Sequence, residues 1–491
     1  MPPQDCDLGF ASAVAAAQLE PARLLARLDG LADGVRGVRG ALAGRTVPAD
    51  VGSGGALATT TFAPLPLALA LWIFSILPID QRARAALVCR AWRDALADAG
   101  AWTCLDLSNY CGISVAVTDA VLRAAAARAN GRLIRLHYDD FDAITPAALL
   151  EVVTANAGTL RYILAEYHNV DAYMDYTDVE ALVRAAPHLK KIWVDGHMNL
   201  EQATAALRSD APFGVLYLRA LKVDAPEDDA DAAAVLEFAT ALQNYKLHEW
   251  LVMVALHGLP LHNAAALDAV CTALIALQLK SVVLENCRLG PASVPALVRL
   301  LNSGGVRNLF ISNDDTQLLD EATAVQLADA LSTSQLLSLQ LDCIDLWSNM
   351  AAATTVLRAL TGHPTLEELR LFSNVATDAV AAGLALGALV EANAPSLSDL
   401  EIAASFLGDA GLAPIMEALP HNTHLRDLNC NNCHMSHDFA REHFLPAVRA
   451  NTSLRYLKAA EWWGNIEDGV APPEVLEAEA LMAARAAADA A

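Results

Sequence analysis

The chain has 491 residues, 55% of them hydrophobic, with a net charge of −24 at pH 7 and a sequence pI of about 4.8. This composition is typical of a folded globular protein and excludes a largely disordered chain. The strong negative charge repels phosphate backbones, so it disfavours nucleic-acid binding and favours basic partners.

Cysteine usage and the N-terminal residues indicate the compartment. The nine cysteines are scattered through a large chain and odd in number, which excludes a disulfide scaffold and predicts a reducing environment. The first 40 residues include Asp5, Asp7 and Glu20, whereas signal peptides begin with basic residues and transit peptides avoid acids. We therefore expect a cytoplasmic or nuclear protein.

Residues 1–61 are predicted to form an Ala-rich tail and a linker, because residues 44–61 are rich in Gly, Ser and Thr. The uncharged stretch 56–79 is long enough to span a bilayer. However, Pro66 and Pro78 leave an apolar run of only 11 residues between them. We expect no membrane helix, and a membrane-tethered protein is the third and weakest hypothesis.

Residues 62–107 have a different pattern, with two or three short helices. Leu65, Leu69, Ile73 and Phe74 have helical spacing, Pro78 ends that helix, and a second helix follows around residues 85–95. A core of about 45 residues is small, so such a module usually needs a partner or an abutting domain.

This segment resembles the F-box family. It contains Leu-Pro at 65–66, Ile-Phe at 73–74, Leu-Pro at 77–78, Val-Cys-Arg-Ala-Trp-Arg at 88–93 and Trp-x-x-Leu at 102–105. It departs from the family pattern at Leu67-Ala68, where an acidic pair is usual, and at Gln81, where Asp is usual. The resemblance implies an all-α module that docks on a Skp-type adaptor and, through it, on a cullin. The residues implied to contact the adaptor are Leu65, Pro66, Leu69, Ile73, Phe74, Leu77, Pro78, Val88 and Trp92.

Residues 102–471 carry a leucine skeleton, L-x-x-L-x-L, that recurs about every 29 residues. A period of this length predicts a solenoid in which each unit buries its apolar face against its neighbours. The units begin at Leu133, Leu160, Leu189, Leu218, Leu279, Val306, Leu336, Leu366, Leu397, Leu425 and Leu454.

The units resemble ribonuclease-inhibitor-like leucine-rich repeats. The resemblance implies an α/β horseshoe with parallel strands inside and helices outside. Residues 472–491 are predicted to be a helix that caps the last apolar face. An F-box followed by such repeats resembles the F-box/leucine-rich-repeat receptor family.

The run Cys430-Asn431-Asn432-Cys433-His434 matches the attachment pattern of a c-type haem, and nearby histidines make a zinc site conceivable. The repeat register favours a structural interpretation, because Cys433 occupies the ninth position, whose side chain satisfies backbone groups in the turn. The ninth position of other units holds Cys287, Asn374, His168 and His197. No nucleotide-binding, hydrolase or metalloprotease motif is present. We expect no catalytic centre, metal or cofactor.

The repeat register also predicts a concave surface, because alternate strand side chains face opposite ways. The seventh positions of the units are Asp139, Glu166, Asp195, Asp224, Met253, Glu285, Ser312, Asp342, Phe372, Ala403 and Asn431. The fifth positions are His137, Leu164, Trp193, Lys222, Leu251, Val283, Phe310, Gln340, Arg370, Glu401 and Asn429. For the unit near 251 a register four residues earlier is an alternative.

These columns predict a negative strip beside an apolar column, suited to a basic target with one bulky apolar anchor. The residues expected to bind the target are Asp139, Glu166, Trp193, Asp195, Asp224, Glu285 and Phe310. The alternative is that an acidic protein simply shows acids over its whole surface.

Two functions follow from the sequence. The first is the substrate-recognition subunit of a Skp/cullin/F-box-type ubiquitin ligase, a non-catalytic protein whose F-box docks on the adaptor while the repeats hold a target. The second is a stand-alone leucine-rich-repeat scaffold or inhibitor whose degenerate F-box only caps the array.

Overall fold

The computed structural model describes residues 67–77, 79–107, 117–139, 144–166, 174–208, 215–225, 232–246, 248, 251–313, 317–459 and 472–489. All of them belong to one compact unit, Leu65–Ala491. The predicted tail and linker, together with Leu65, Pro66, Pro78 and His168, lie outside the described residues.

The segment predicted to be an F-box is helical. Helices α1 (Leu67–Ile76), α2 (Ile79–Ala85) and α3 (Arg90–Ala97) are followed by a 3₁₀ turn, Ala99–Trp102. The Phe74 ring meets the Trp92 ring edge to face, with centroids 5.5 Å apart. Such aromatic pairs stabilise a small core beyond the area they bury.

Within the described residues, the rest of the unit is built on one sheet of fourteen strands, and the strand pairs are parallel. Each strand pairs with the next along the chain, except that β3 pairs with β5 and not with β4, and β4 pairs only with β5. The strands are β1 (Cys104–Leu107), β2 (Arg135–Asp139), β3 (Tyr162–Glu166), β4 (Met174–Asp175), β5 (Lys191–Asn199), β6 (Leu216–Asp224), β7 (Met253–His257), β8 (Ser281–Glu285), β9 (Asn308–Ser312), β10 (Ser338–Asp342), β11 (Glu368–Arg370), β12 (Asp399–Glu401), β13 (Asp427–Asn429) and β14 (Tyr456–Lys458).

A helical segment separates most successive strands. The helices are α4 (Asp119–Ala129), α5 (Pro146–Ala155), α6 (Tyr176–Ala185), α7 (Leu200–Leu207), α8 (Ala232–Gln243), α9 (Ala264–Ala276), α10 (Val294–Asn302), α11 (Glu321–Thr333), α12 (Met350–Leu360), α13 (Ala379–Glu391), α14 (Gly408–Ala418), α15 (His437–Phe439), α16 (Leu445–Ala450) and α17 (Pro473–Asp489). Side chains of Thr118, Thr145, Asn263 and Asp378 accept hydrogen bonds from backbone amides at helix starts. These caps satisfy amides that have no partner inside the helix.

The repeated leucines form the core between the sheet and the helices. In β12, for example, Leu400 is buried between the half-buried Asp399 and Glu401. The predicted α/β leucine-rich-repeat solenoid, with one face of a parallel sheet covered by helices, is therefore confirmed. We call the opposite face, which carries the third, fifth and seventh positions of each unit, the open sheet face.

The predicted register is wrong at the centre of the array. Strands β5 and β6 are nine residues long, and their pairing shifts between Val194 and Asp195, so Asp195 pairs with Ala220 rather than with Asp224. The reason is that β6 buries Leu216 and Leu218 and then Leu221 and Val223, so two leucine phases fit the same template.

The next unit is displaced as well. In β7, Ala255 and His257 occupy the columns where the sequence places Leu251 and Met253, four residues later than predicted. Leu251 is instead buried before the strand. His197, predicted to be a turn residue, lies within β5 and pairs with Lys222.

The last described helix, α17, covers the end of the array. Its residues Val475, Ala478 and Met482 are buried, and the Glu479 carboxylate accepts a hydrogen bond from the Ala459 amide at 2.8 Å. Among the described helices none is both long enough and apolar enough to cross a membrane.

Candidate functional site

The F-box-like helices divide their apolar residues between a core and a surface. Of the residues predicted to contact an adaptor, Phe74 is buried, so it belongs to the core and the prediction of a direct contact is corrected. Ile73, Leu77 and Trp92 are half-buried, and the Leu69 side chain is outside the described part. Val88 is 64% exposed, beside Leu87 at 78%, and Leu67 is 58% exposed. Exposed apolar side chains at this density are typical of an interaction surface.

Arg82 joins the F-box-like helices to the sheet. Its guanidinium is buried and donates to the carbonyls of Ser75, Leu77, Ala101 and Cys104 at 2.5–3.0 Å. Burial lowers the pKa of Arg82 to about 10. Because the acceptors belong to α1, the turn after it, the 3₁₀ turn and β1, this one side chain fixes the module to the first repeat.

Trp102 completes the same junction. Its ring is buried, its Nε1 donates to the Leu96 carbonyl at 2.8 Å, and the guanidinium carbons of Arg82 and Arg128 lie 5.1 and 4.7 Å from the ring centroid. Arg128 comes from α4 of the first repeat. Cation–π contacts of this kind are strongest where the cation is desolvated.

The ninth-position side chains lie in the turns after the strands. Asn374 is fully buried, accepts hydrogen bonds from the Ile344 and Leu346 amides at 3.2 Å and donates to the Leu341 carbonyl at 2.6 Å. The Cys433 thiol donates to the Ile402 carbonyl at 3.3 Å, as Cys287 does to Leu256. Burial raises the pKa of both thiols to about 12. These hydrogen bonds to backbone carbonyls are the ones expected if Cys433 is a structural residue of the turn.

Within the described ranges, no group of three or more His, Cys, Asp or Glu side chains is arranged to hold a metal ion. Cys430 is buried, and burial raises its pKa well above the ordinary value of a thiol. Protonated buried thiols are poor nucleophiles and poor metal ligands.

The predicted apolar column does not run unbroken along the open sheet face. Trp193 pairs with Leu164 and Tyr217, whereas Phe310 belongs to a different row, with Val283 and Gln340. The Lys191 Nζ lies 4.9 Å from the Trp193 ring centroid and 4.2 Å from that of Tyr217. Both predicted anchors are half-buried on this face but are offset by the register shift.

The predicted acidic strip is interrupted in the same way. Asp224, His257, Glu285, Ser312 and Asp342 form one row. The side chains of Asp139, Glu166 and Asp195 lie outside the described part. A single strip of carboxylates is therefore wrong for the centre of the array, because Asp195 lies in the row of Ala220 and Met253 and not in that of Asp224.

Histidines and carboxylates meet at the centre of the array. The His197 ring contacts the Asp224 carboxylate through Nε2, and its Nδ1 lies 3.5 Å from Asp175. The His257 Nδ1 lies 3.7 Å from the other oxygen of Asp224. Beside them is an open cavity of about 280 Å³ lined by Asp175, Thr177, Met198 and Gln202 among others.

A second group of carboxylates lies on the last strands, at third and fifth positions. Glu368, Asp399 and Asp427 are directly opposed on β11, β12 and β13, and Glu401 stands beside them. Arg370 pairs with Glu401 at 2.9 Å, and the Asn429 amide donates to the same carboxylate at 3.0 Å. We call Glu368, Asp399, Glu401 and Asp427 the C-terminal carboxylates.

These acids perturb one another. Burial first, then Glu368, Asp427 and Glu401, raises the pKa of Asp399 to about 6. Burial chiefly raises the pKa of the buried Asp342 to about 7 against the pull of Arg370, and burial also raises that of Asp427. Half-buried carboxylates with little positive charge nearby favour the binding of a cationic group beside the C-terminal carboxylates.

Comparison with known proteins supports the F-box prediction for the first part of the chain. Residues 62–108 match the family model described as F-box-like. The chain therefore joins an F-box-like module to a leucine-rich-repeat solenoid. None of the curated proteins matches its sequence.

Among solved structures, the chain is similar to one in the crystal structure of the Rad7 and Elc1 complex in yeast. The TM-score is 0.46, with 12% identity, over 84% of this chain and 93% of that one. A chain of the TLR13–ssRNA13 complex gives a TM-score of 0.27 and 15% identity, over 67% of this chain and 40% of that one. Both scores are low, so the assignment of the fold rests on the repeat geometry itself.

Two parts of the candidate sites were not predicted from the sequence. Arg82 is not one of the F-box motif residues named above, and its role is evident only from its burial in the structure. The C-terminal carboxylates precede or follow the central leucine in Glu-Leu-Arg, Asp-Leu-Glu and Asp-Leu-Asn at 368–370, 399–401 and 427–429. Reading the third position of each unit, in addition to the fifth and seventh, would have found them.

Proposed function

We propose that this protein is the substrate-recognition subunit of a Skp/cullin/F-box-type ubiquitin ligase. The observation that carries the proposal is the F-box-like module itself, which presents exposed Leu67, Leu87 and Val88 while being fixed to the solenoid. The F-box-like helices dock on a Skp-type adaptor and through it on a cullin, and the open sheet face holds a target. The protein catalyses nothing itself. It raises the effective concentration of the target near the ubiquitin-charged enzyme.

The rigid junction supports this division of work. Arg82 and Trp102 hold the F-box-like helices against β1 and α4, so a target bound to the repeats keeps a defined position relative to the adaptor. Defined geometry of this kind is what productive transfer between two bound molecules requires.

The test is adaptor binding by the purified full chain, measured by calorimetry. Replacing Leu87→Ser together with Val88→Ser removes exposed apolar surface, so the fold should be unaffected while adaptor affinity falls by about tenfold or more. The matched control is Val380→Ser with Leu384→Ser, a pair on α13 that is 50% and 58% exposed. This control should bind the adaptor as the parent chain does.

Absence of adaptor binding by the parent chain at micromolar concentration would overturn the proposal. It would favour the stand-alone scaffold or inhibitor, in which the F-box-like helices serve only to cover the first repeat. The buried Trp102 and Arg82 are the observations that support that second function, since a solenoid end needs such a cap.

A further inference from the structure

An exposed aromatic rim lies at the carboxyl ends of β11, β12 and β13. Phe372, Val375 and Phe406 are 39%, 46% and 38% exposed, and the Phe406 ring stacks on the exposed His434 ring with centroids 4.4 Å apart. We call these four residues the rim.

Backbone hydrogen bonds join the segments that carry the rim. The Ser373 amide donates to the Ala403 carbonyl at 2.9 Å and the Ala376 amide to the Ser405 carbonyl at 3.0 Å, which ties the segments that carry the phenylalanines together. Phe406 has a φ of +50°, a left-handed conformation that a bulky side chain rarely adopts. Arg288, Asp345 and His434 have the same left-handed conformation at the same position of their own units, so the turn common to these repeats sets the backbone that carries Phe406.

Three of the C-terminal carboxylates lie at the other end of the same strands, since Glu368, Asp399 and Asp427 are the first residues of β11, β12 and β13. Asp399 opens β12, and Phe406 follows seven residues later. At about 3.3 Å per extended residue the two are at most roughly 23 Å apart. A peptide of about seven extended residues can therefore touch both.

We propose that the rim and the C-terminal carboxylates together form the target-docking surface, and that its occupant is a basic peptide segment carrying one bulky apolar side chain. The proposal deepens the proposed function and rests on it in one respect, that the solenoid is the part that holds the target. It moves the docking surface from the predicted Trp193 and Phe310 to the last units of the array.

Charge complementarity identifies the occupant. Five acids, Asp342 and the four C-terminal carboxylates, lie on β10 to β13. Of the cations that act on them, Arg370 is engaged by Glu401, and Arg426 lies near Asp427, so the acids remain in excess. The raised pKa of Asp399 reflects burial and the crowding of like charges, which lysine or arginine side chains would relieve. The aromatic rim then receives the apolar side chain of the same segment.

The experiment uses the purified full chain and fluorescein-labelled peptides of about ten residues, long enough to span the surface. One peptide carries several lysines and one leucine, the second has alanine in place of the leucine, and the third has glutamates in place of the lysines. Fluorescence anisotropy should show the first peptide binding about tenfold or more tightly than either of the others. Its affinity should fall as salt is raised.

Two double variants test the two halves of the surface. Asp399→Asn with Asp427→Asn should weaken the basic peptide about tenfold and flatten its salt dependence. Phe372→Ser with Phe406→Ser should weaken only the leucine-containing peptide, by a similar factor. The matched controls, Glu391→Gln with Glu417→Gln and Val380→Ser with Leu384→Ser, alter exposed residues of α13 and α14 and should change neither affinity.

Adaptor binding is measured on the same variants and should be unchanged, so failure of the adaptor interaction and failure of this surface are separate results. Equal binding of the basic and acidic peptides, or binding that survives both surface variants, overturns the inference. Self-association of the chain that the rim variant abolishes would also overturn it, since a second copy would then be the occupant.

Discussion

At the scale of single residues, the open sheet face holds carboxylates in places where ionisation is unfavourable. Asp342 is buried, its carboxylate accepts a hydrogen bond from the Phe372 amide at 3.0 Å, and burial raises its pKa to about 7. Aspartate in an unfolded chain has a pKa of about 3.9. The folded protein therefore keeps a proton between about pH 4 and 7 that the unfolded chain has released, and it loses stability as pH rises through this window.

Asp342→Asn should remove that part of the pH dependence, because the amide oxygen still accepts from Phe372 and carries no charge. We expect the urea midpoint of the parent chain to fall between pH 5 and pH 8, and the fall to be smaller in the variant. Asp329→Asn, an exposed position on α11, removes one charge as well and serves as the control for net charge. A variant and control with the same pH profile would show that Asp342 ionises without penalty.

At the scale of elements, α13 and α14 approach each other through glycine. A Cβ added at Gly383 would lie 2.1 Å from the Gly411 carbonyl oxygen, and one at Gly387 would lie 2.9 Å from Pro414 atoms. Backbone atoms cannot move aside as a flexible side chain can. A Cβ at Gly411 would likewise lie 2.6 Å from the Ala379 carbonyl oxygen, so the spacing of these two repeats depends on three positions without side chains.

Gly383→Ala tests this contact by the sign of its effect. Helix propensity alone favours alanine by about 1 kcal/mol, whereas overpacking a rigid interface costs about 1–3 kcal/mol. We expect the overlap to dominate, so the thermal midpoint should fall and amide exchange in α13 and α14 should accelerate. Gly158→Ala meets nothing within 4 Å and should leave both unchanged. A stabilised Gly383→Ala variant would mean that the helices separate at little cost.

The element scale also shows where the sequence is informative. The leucines after β8 place each strand correctly, since one buried Leu between two half-buried residues fits only one register, as in Glu368-Leu369-Arg370. At β5 and β6 both strands are longer and carry two buried phases, so periodicity could not choose between them. A period of about 29 residues predicts neither which side chains of the last units are exposed nor which strand residues lie opposite one another.

At the scale of the whole molecule, the junction between the F-box-like helices and the solenoid determines whether two binding surfaces act as one body. Solenoid stability is a sum of local terms, and each repeat contacts only its neighbours. The first repeat is exceptional because α1, the 3₁₀ turn and β1 meet at the guanidinium of Arg82. The sequence predicts the apolar residues of this junction, but it does not predict that Arg82 donates to the carbonyls there.

Arg82→Met should uncouple the two parts, because four carbonyl oxygens lose a charged donor and a buried acceptor without a partner costs about 1–3 kcal/mol. Methionine keeps much of the volume, so the loss is of hydrogen bonds more than of packing. Hydrogen exchange should accelerate in α1, β1 and α4 while β9 to β13 keep their protection, since each solenoid repeat contacts only its neighbours.

Arg90→Met, at an exposed position of α3, is the control, and its amides should exchange as those of the parent chain do. Adaptor affinity should fall with Arg82→Met while peptide binding at the last units is retained. If protection were lost along the whole array instead, the molecule would unfold as a single cooperative unit and the junction would have no separate role.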